Sequence, residues 1–544
     1  MIRFPLITGA VLLAISLTTL ALAQQHEHGS SKDERLGVVI FATSCSANAQ
    51  PRFNRAVALL HSFEFAYAMD GFNATLKADP SCAMAEWGIA LSRWSNPFSP
   101  GVRATAPLQQ GRDAVARARA IGTKTSREAA YVDAVSQLYA SFETVDQRTR
   151  VLAYRDAMAK VAAAHANDTE ASIFYALALA AAASPGDKTY ADQLKAGAIL
   201  EKIVASQPDH PGLTHYIIHS YDFPPLAQRA LEAARRYARI APSAPHALHM
   251  PSHTFTRVGA WQDSIETNMA SGDAAKRDGA TAEELHTMDY RIYAYLQTGQ
   301  DAAAQRILEG LPEVKARFNP DAIGSAAPGS AGVFALAAIP ARYALEHGAW
   351  SDAAALVPQP SRYLYPDALT YFAKALGGAR SGDAAATRSA IDALQKIKDR
   401  LTEQKEAYWA EQTEIQRRAA SAWLAFVEGR KAEAVAEMRA AAAIEDGTEK
   451  AAVTPGPLAP ARELVGEMLL ELSQPAEALK EFEATLRKEP NRFRALLGAA
   501  RSASLAGDRQ KALAHYESLL KICERADKPG RPELTAARRE IAKR

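Results

Sequence analysis

Ala478, Phe482 and Pro490 stand at the spacing of a helical hairpin, and Ala512 and Tyr516 repeat the first two after 34 residues. A period of that length points to a solenoid, in which each unit is too small to bury its apolar face alone and stacked neighbours make the core continuous. The residue types fit that geometry: small ones where two helices cross, a large one where the hairpin packs, and a proline that ends the unit because it cannot extend a helix. Ala68, Phe72 and Asp79-Pro80 close one such unit, and Trp87-Gly88 with Leu91 opens the next. Ala230 and Pro242 close another, and Gly259, Trp261 and Ser264 turn the hairpin after it. Gly299 with Ala304, Gly348 with Ala353 and Gly429 with Ala434 mark three more turns. About eight to ten hairpins, several of them degenerate, then cover most of the chain.

Length and composition agree. A chain of 544 residues exceeds what one compact core supports, and its long stretches of Ala, Leu, Glu, Arg and Lys are those of helices, with few Val, Ile and Thr runs to build a sheet. The expected fold is all-α, a TPR-like α-solenoid of helical hairpins. Lys plus Arg (63) nearly balance Asp plus Glu (61), so no global field draws the chain to nucleic acid.

The N-terminus has the pattern of an export signal. Arg3 supplies positive charge, Leu6 to Leu22 is apolar, and Ala21-Leu22-Ala23 is a small-x-small cleavage site, which makes 1–23 a signal peptide and the product periplasmic or secreted. No later apolar run reaches the length of a membrane span. A flexible tail with His26-Glu27-His28 follows over 24–36, either a loose metal-capture site or a plain surface tail. The remaining expected divisions are a solenoid with a concave histidine cluster over 37–318, a loop over 319–332, degenerate repeats over 333–445, a Pro-rich linker over 446–460 and a C-terminal repeat pair over 461–544. An insertion at 95–110, the loop at 319–332 and the Pro-rich stretch at 453–460 interrupt the array, and such loops often lie over one face. Export also gives the cysteines meaning: Cys45 and Cys82 are expected to pair in an oxidising compartment, with Cys523 left as a buried apolar residue.

Several segments, Phe41-Ala42-Thr43-Ser44-Cys45, Ala58 to Glu64, Asp79 to Ala85, His215 to Asp222 and Pro245 to His253, resemble a family of exported bacterial tetratricopeptide-repeat proteins. The resemblance implies fold and export. It implies no chemistry.

The chemistry is suggested by the histidines. Seven of the thirteen fall between residues 210 and 286. His215 and His219 are one helical turn apart, with Asp222 a further turn on, and His246, His249 and His253 again share one face. His249 and His253 lie 34 residues after His215 and His219, so the four rings are expected to form a two-by-two patch. In the tetratricopeptide register these positions look into the concave groove, where His286 and Asp289 of the next unit join them and Asp289 stands beside His249. His61, Glu64, Asp222, Arg257 and Tyr293 are expected to line the same groove. Gathered imidazoles repel one another when protonated, so the array is favourable if neutral, hydrogen-bonded or sharing a cation. A divalent transition metal, copper, zinc or iron, held by His215, His219, His246, His249, His253 and His286 with Asp289 or Asp222, meets that condition. Pro251 either interrupts the histidine run at an interior helix position, which costs roughly 3 kcal/mol, or starts a helix of its own, which would take His246 and His249 off its face. A rule broken there is what a functional site looks like.

Nucleotide-binding loops, the Gly-x-Ser-x-Gly elbow and the His-Glu-x-x-His motif are absent from the sequence. Trp87, Trp94, Trp261, Trp350 and the tyrosines over 363–371 read as helix-packing residues rather than a ligand channel. Two functions remain: a scaffold that grips a peptide, partner protein or small metal-bearing ligand in a His-lined groove, or a metalloenzyme that activates water or dioxygen there, with Asp222 or Glu64 moving protons.

Overall fold

In the computed structural model, residues 34–99, 101–184, 186–322, 326–359 and 361–543 are described; the proposed signal peptide, His26-Glu27-His28 and Pro100 lie outside them. Helices alone make up the regular structure of the described residues, and no β-strand occurs among them. Residues 35–544 form one compact unit. Each helix packs mainly on the helix before and after it, the pattern of an all-α, TPR-like solenoid.

Local packing shows how the repeat residues build this. Phe482 is buried between helices Ala461–Glu471 and Phe493–Leu505 because both carry a glycine against its ring: a Cβ on Gly466 would lie 2.8 Å and one on Gly498 2.4 Å from the phenyl carbons. Phe72 meets Gly88 and Tyr221 meets Gly197 in the same way. A large residue of one helix thus fills the space vacated by a missing side chain on its neighbour, which brings the helix axes close. Gly259 serves a second purpose. Its φ of 68° suits the hairpin turn, and Pro490 O lies 2.5 Å from where a Cβ would stand. Trp261 Nε1 donates to Asn491 O at 2.8 Å across this contact, so the C-terminal repeats close onto the histidine-bearing region.

The N-terminal end is stapled. Cys45 and Cys82 form a disulfide, and Cys523 is free and buried, as the compartment argument expects. The tail read as running to residue 36 is anchored from Arg35, whose N–H donates to Ser243 Oγ. Val38 N–H bonds Asp209 O, and Phe41 is fully buried against Phe53, Trp87 and Tyr131. No helix among the described residues is long and apolar enough to cross a membrane.

The three interruptions run between helices that end at Trp94, Arg317 and Gly447 and begin at Thr105, Gly329 and Ala461. The first two are therefore shorter than the sequence suggests, since 105–110 and 329–332 belong to helices, while the third, over 448–460, is longer than its Pro-rich part. All three turn toward the same interior space.

Candidate metal centre

Helix Pro211–Ser220 starts on a proline, whose missing N–H costs nothing in the first turn. His215 and His219 lie one turn apart on its inner face, ring centres 4.9 Å apart. His215 Nδ1–H donates to His61 O at 2.6 Å, which leaves Nε2 with the lone pair, and that Nε2 is buried with no hydrogen-bond partner. His219 Nε2 is in the same condition.

Pro251 neither destroys the next helix nor fits inside it. The chain makes two short helices, Pro245–His249 and Pro251–Arg257, joined at Met250, whose φ of −51° and ψ of −36° keep the right-handed course. His253 N–H bonds Met250 O one residue closer than an α-helix requires, and His246, His249 and His253 remain on the inner side. Proline thereby removes a backbone donor that would otherwise be orphaned by the break.

These rings, with His286 from helix Thr281–Gln297, sort into two groups of three: His215, His219 and His246, and His249, His253 and His286. In each group one ligand nitrogen per ring lies within 4.8 Å of the others. Two imidazole nitrogens sharing a tetrahedral zinc at about 2.0–2.1 Å stand roughly 3.3 Å apart. The groups adjoin, with His246 and His249 ring centres 5.8 Å apart and those of His219 and His253 6.0 Å apart.

The second group carries the clearest signature. His249 Nδ1–H donates to Asn268 Oδ1 at 2.7 Å, and Asn268 Nδ2 donates to Ser264 O, which fixes the amide orientation. His253 Nδ1–H donates to Asp222 Oδ2 at 3.0 Å. Both rings therefore turn an Nε2 lone pair inward, and these atoms face each other at 3.1 Å. Two acceptors so placed repel unless a proton or a cation lies between them. Metal-binding histidines commonly have one ring nitrogen held by a carboxylate or amide in this way and the other left free.

Electrostatics keep the rings in the ligating form. Burial pushes His215, His219, His246 and His286 well below the usual histidine value of 6.5, with neighbouring histidines adding to the effect in all four. Burial brings His249 down to about 3. For Asp222 burial works toward protonation, but Lys450, Arg257 and His253 outweigh it and hold the carboxyl well below its ordinary range. Glu64 is the opposite case. Its Oε1 accepts from His246 N–H, Oε2 is buried with no hydrogen-bond partner, and burial with Glu283 nearby raises it to about 8.

Phe63 adds strain at the same place. Its φ of 57° is left-handed, which a bulky residue rarely adopts, and the conformation sets its ring 4.4 Å from His215 and stacks it on His219 and His246 at 5.7 and 5.8 Å.

A third group, His61, Glu170 and His210, has compatible atoms but a different character. Glu170 accepts from His61 Nε2 at 3.0 Å and His210 Nε2 at 2.9 Å, and His61 Nδ1 bonds Tyr216 OH. Its ligand atoms already satisfy one another, so it ties helices together. His61 therefore serves the centre through its backbone carbonyl rather than its ring.

The sequence places the rings in an open groove, whereas the six are 0 to 5% exposed. The interruptions make the difference. Phe98 of the first loop stacks on His219 at 4.0 Å, and Asn96 Nδ2 donates to Ala326 O of the second. Tyr290 OH lies 3.1 Å from Ala452 O of the third and 3.5 Å from His253 Nε2. What remains is a cavity touching His219, His246, His253 and His286, with Tyr365 and Trp409 on its wall. Tyr365, from the tyrosines read as packing residues, thus lines this cavity.

Two expected groups stand elsewhere. Asp289 is engaged by Arg342 Nε at 2.7 Å, and Arg342 Nη2 also bonds Thr454 Oγ1; this acidic residue pins the third loop instead of completing a ligand set. His286 and Tyr290 take the place beside His249, with ring centres 4.5 and 4.8 Å away. Tyr293 lies in a buried network, under Arg342 and accepting from Arg492 Nη1. Arg257 does reach the site, binding Asp222 through Nε and Nη2. Sequence reading missed Asn268, Glu283, Lys450 and Trp409. Asn268 was detectable, because it falls on the face of helix Trp261–Arg277 that also carries Trp261, Ser264, Ile265 and Gly272.

No protein-family profile matches the sequence, and no curated protein matches it. Among solved structures, a human IFIT1 dimer with m7Gppp-AAAA matches 88% of this chain and 96% of its own at 12% identity, with a TM-score of 0.38. A human IFIT1 dimer with PPP-AAAA has the same coverage and identity and a TM-score of 0.40. Naa15/Naa10 bound to HypK-THB matches 91% of this chain and 74% of its own at 12% identity, with a TM-score of 0.24. Likenesses this remote carry nothing about the ligands of the present chain.

Proposed function

We infer that the protein holds transition-metal ions in a buried centre of six histidines, and that the helical solenoid is the scaffold that positions them. The observation that carries this reading is the pair of inward Nε2 lone pairs of His249 and His253 at 3.1 Å, each fixed from behind by a hydrogen bond at Nδ1. A donor set of neutral imidazoles suits copper, zinc or iron rather than magnesium or calcium, which prefer oxygen. The disulfide supports export to an oxidising compartment, periplasmic or extracellular. Enclosure of the rings favours a small ligand over a peptide or partner protein, and nothing in the charge balance calls for nucleic acid.

The test is elemental analysis of the purified full chain after exposure to copper, zinc or iron and removal of loose metal. Stoichiometric metal is expected, lost from the His249→Ala/His253→Ala double variant while the helical circular dichroism persists. Uptake of none of the three metals overturns the reading.

A second reading, metalloenzyme, is favoured by the cavity that touches four of the six rings, since three protein ligands leave a coordination position for water, dioxygen or substrate. Glu64, raised to about 8 and bonded to the His246 N–H, is the candidate for moving a proton, since Asp222 is occupied in orienting His253. Azide added to the cobalt-loaded protein should shift its visible spectrum if that position is open. An unchanged spectrum removes catalysis and leaves the scaffold.

A further inference from the structure

Beside the histidine cavity lies a larger one, and Tyr365 and Trp409 line both. Its walls divide by chemistry. Tyr365 and Trp409 stack at 3.9 Å with their rings 6° from parallel, and Phe334 lies 6.4 and 6.0 Å from them. Leu369, Phe372 and Ile415 extend this apolar side. The polar side carries Arg257, Glu449, Lys450 and Gln416. Tyr408 joins the two: its ring is 4.8 Å from Trp409, and its hydroxyl accepts from the N–H of Ala451, next to Lys450.

The polar side is unfinished. Arg257 uses Nε and Nη2 on Asp222, while Nη1 is buried with no hydrogen-bond partner. Lys450 Nζ stands 3.7 Å from Asp222 Oδ1, beyond hydrogen-bond reach, and is likewise without an acceptor. Glu449 Oε1 is taken by Lys188 and Tyr190, but Oε2 is buried and without a donor, as is Gln416 Oε1. Arg257 is 3% exposed and the Lys450 side chain 6%, so bulk water does not complete these bonds. Each unmade bond of this kind costs roughly 1–3 kcal/mol, more for a charged group. Orphaned donors and acceptors both line one cavity, which also carries the aromatic rings and, among other polar groups, Glu445, Asp446, Lys488 and Glu489.

We propose that this second cavity binds a zwitterionic small molecule with a flat apolar body, the chemistry of an aromatic α-amino acid. Its carboxylate lies between Arg257 Nη1 and Lys450 Nζ, its ammonium donates to Glu449 Oε2 and Gln416 Oε1, and its ring packs on the Tyr365 and Trp409 wall. An anion alone leaves the two acceptors unmet, and a cation alone leaves the two donors unmet; one zwitterion satisfies all four. The site stands on its own atoms and needs no metal. The shared wall places the bound molecule next to the histidine cavity.

Calorimetric titration of the purified full chain with four probes tests this. L-tryptophan is expected to bind, tryptamine lacks the carboxylate, indole-3-propionate lacks the ammonium, and glycine lacks the ring; each of the last three should bind at least about tenfold more weakly. Lys450→Met should weaken L-tryptophan about tenfold and leave tryptamine unchanged. Trp409→Ala should weaken all three indoles. No heat with any probe at millimolar concentration, tryptamine binding as tightly as tryptophan, or a Lys450→Met variant equal to the parent overturns the proposal. Repeating the titration on chelator-treated protein separates the two readings. Tryptophan binding without metal uptake sinks only the metal centre, and metal uptake without tryptophan binding sinks only the amino-acid site.

Discussion

The C-terminal hairpins and the histidine hairpins share one architecture and fill it differently. In the first, Ala478, Phe482, Ala512 and Tyr516 take the inward positions; charged residues pair at the surface, as Arg439 does with Glu477 and Lys511 with Glu483, and where they are buried, as Arg492 and Glu463 are, they hydrogen-bond each other. In the second, the inward faces carry His215, His219, His246, His249, His253 and His286 together with Glu64, Asp222 and Glu283. An apolar interior is complete once its shapes fit. A polar interior is complete only when each donor and acceptor is met, and several atoms of the histidine centre have no hydrogen-bond partner within the protein. The solenoid supplies rigidity in both places; in one of them it is spent on holding groups that a ligand would complete.

Acid should separate the two regions most. An unfolded histidine takes up a proton near pH 6.5. Burial holds the six rings below that in the folded protein, so above pH 6.5 neither state carries the proton and the rings add no pH dependence. Below it the unfolded chain binds protons that the folded chain refuses, and stability falls until the folded value is passed, about 3 for His249. Between pH 7.5 and 5.5 the six rings together should cost several kcal/mol. Glu64 has the opposite sign. Raised to about 8, it contributes stability at low pH that is lost as pH rises toward that value. Urea denaturation of metal-free protein at the two pH values measures the balance. Equal stability at both would mean that the rings are not buried and neutral.

Phe482→Ala should act on the other region alone. The ring is 2% exposed and wedged against Gly466 and Gly498, so its removal leaves a cavity and costs about 3–5 kcal/mol. Metal content per folded chain should not change. Loss of metal in this variant would show that the two regions are one cooperative site rather than scaffold and centre. Reduction of Cys45–Cys82, which spans 37 residues, should cost about 4 kcal/mol by loop entropy, again with metal retained.

The same contrast explains what the sequence reveals. Steric requirements of a hairpin array map directly onto residue type at a fixed spacing, so Ala478, Phe482 and Pro490 disclose the fold. The His215/His219 and His249/His253 pairs are visible for the same reason, being one turn apart and one repeat apart. Enclosure is not visible, because it arises where Asn96 meets Ala326 and Tyr290 meets Ala452, contacts across more than a hundred residues. Asp289 looks like a ligand until Arg342, 53 residues later, claims it. Lys450 sits in a loop with no periodicity to announce it. Residues that act through a regular helix face are legible; those delivered by loops that fold over it are not.

Asn268 gives the finest test of the division, because it combines a packing position with a polar task. Its Nδ2 donates to Ser264 O at 2.8 Å, so only Oδ1 is left to face His249, and Oδ1 requires the proton to sit on Nδ1. The tautomer that presents Nε2 to His253 is therefore set one residue behind the ring. In Asn268→Leu the shape is kept and the acceptor is lost, so either tautomer of His249 leaves a nitrogen unsatisfied. Metal affinity, measured by competition with a chromophoric chelator, should fall about 10- to 100-fold. Asn268→Asp keeps an acceptor at that place and should hold affinity close to the parent. If Asn268 served packing alone, Leu would be the milder change and Asp, a new buried charge, the harsher one; that order of affinities would refute the assigned tautomer and with it the inward pair of lone pairs.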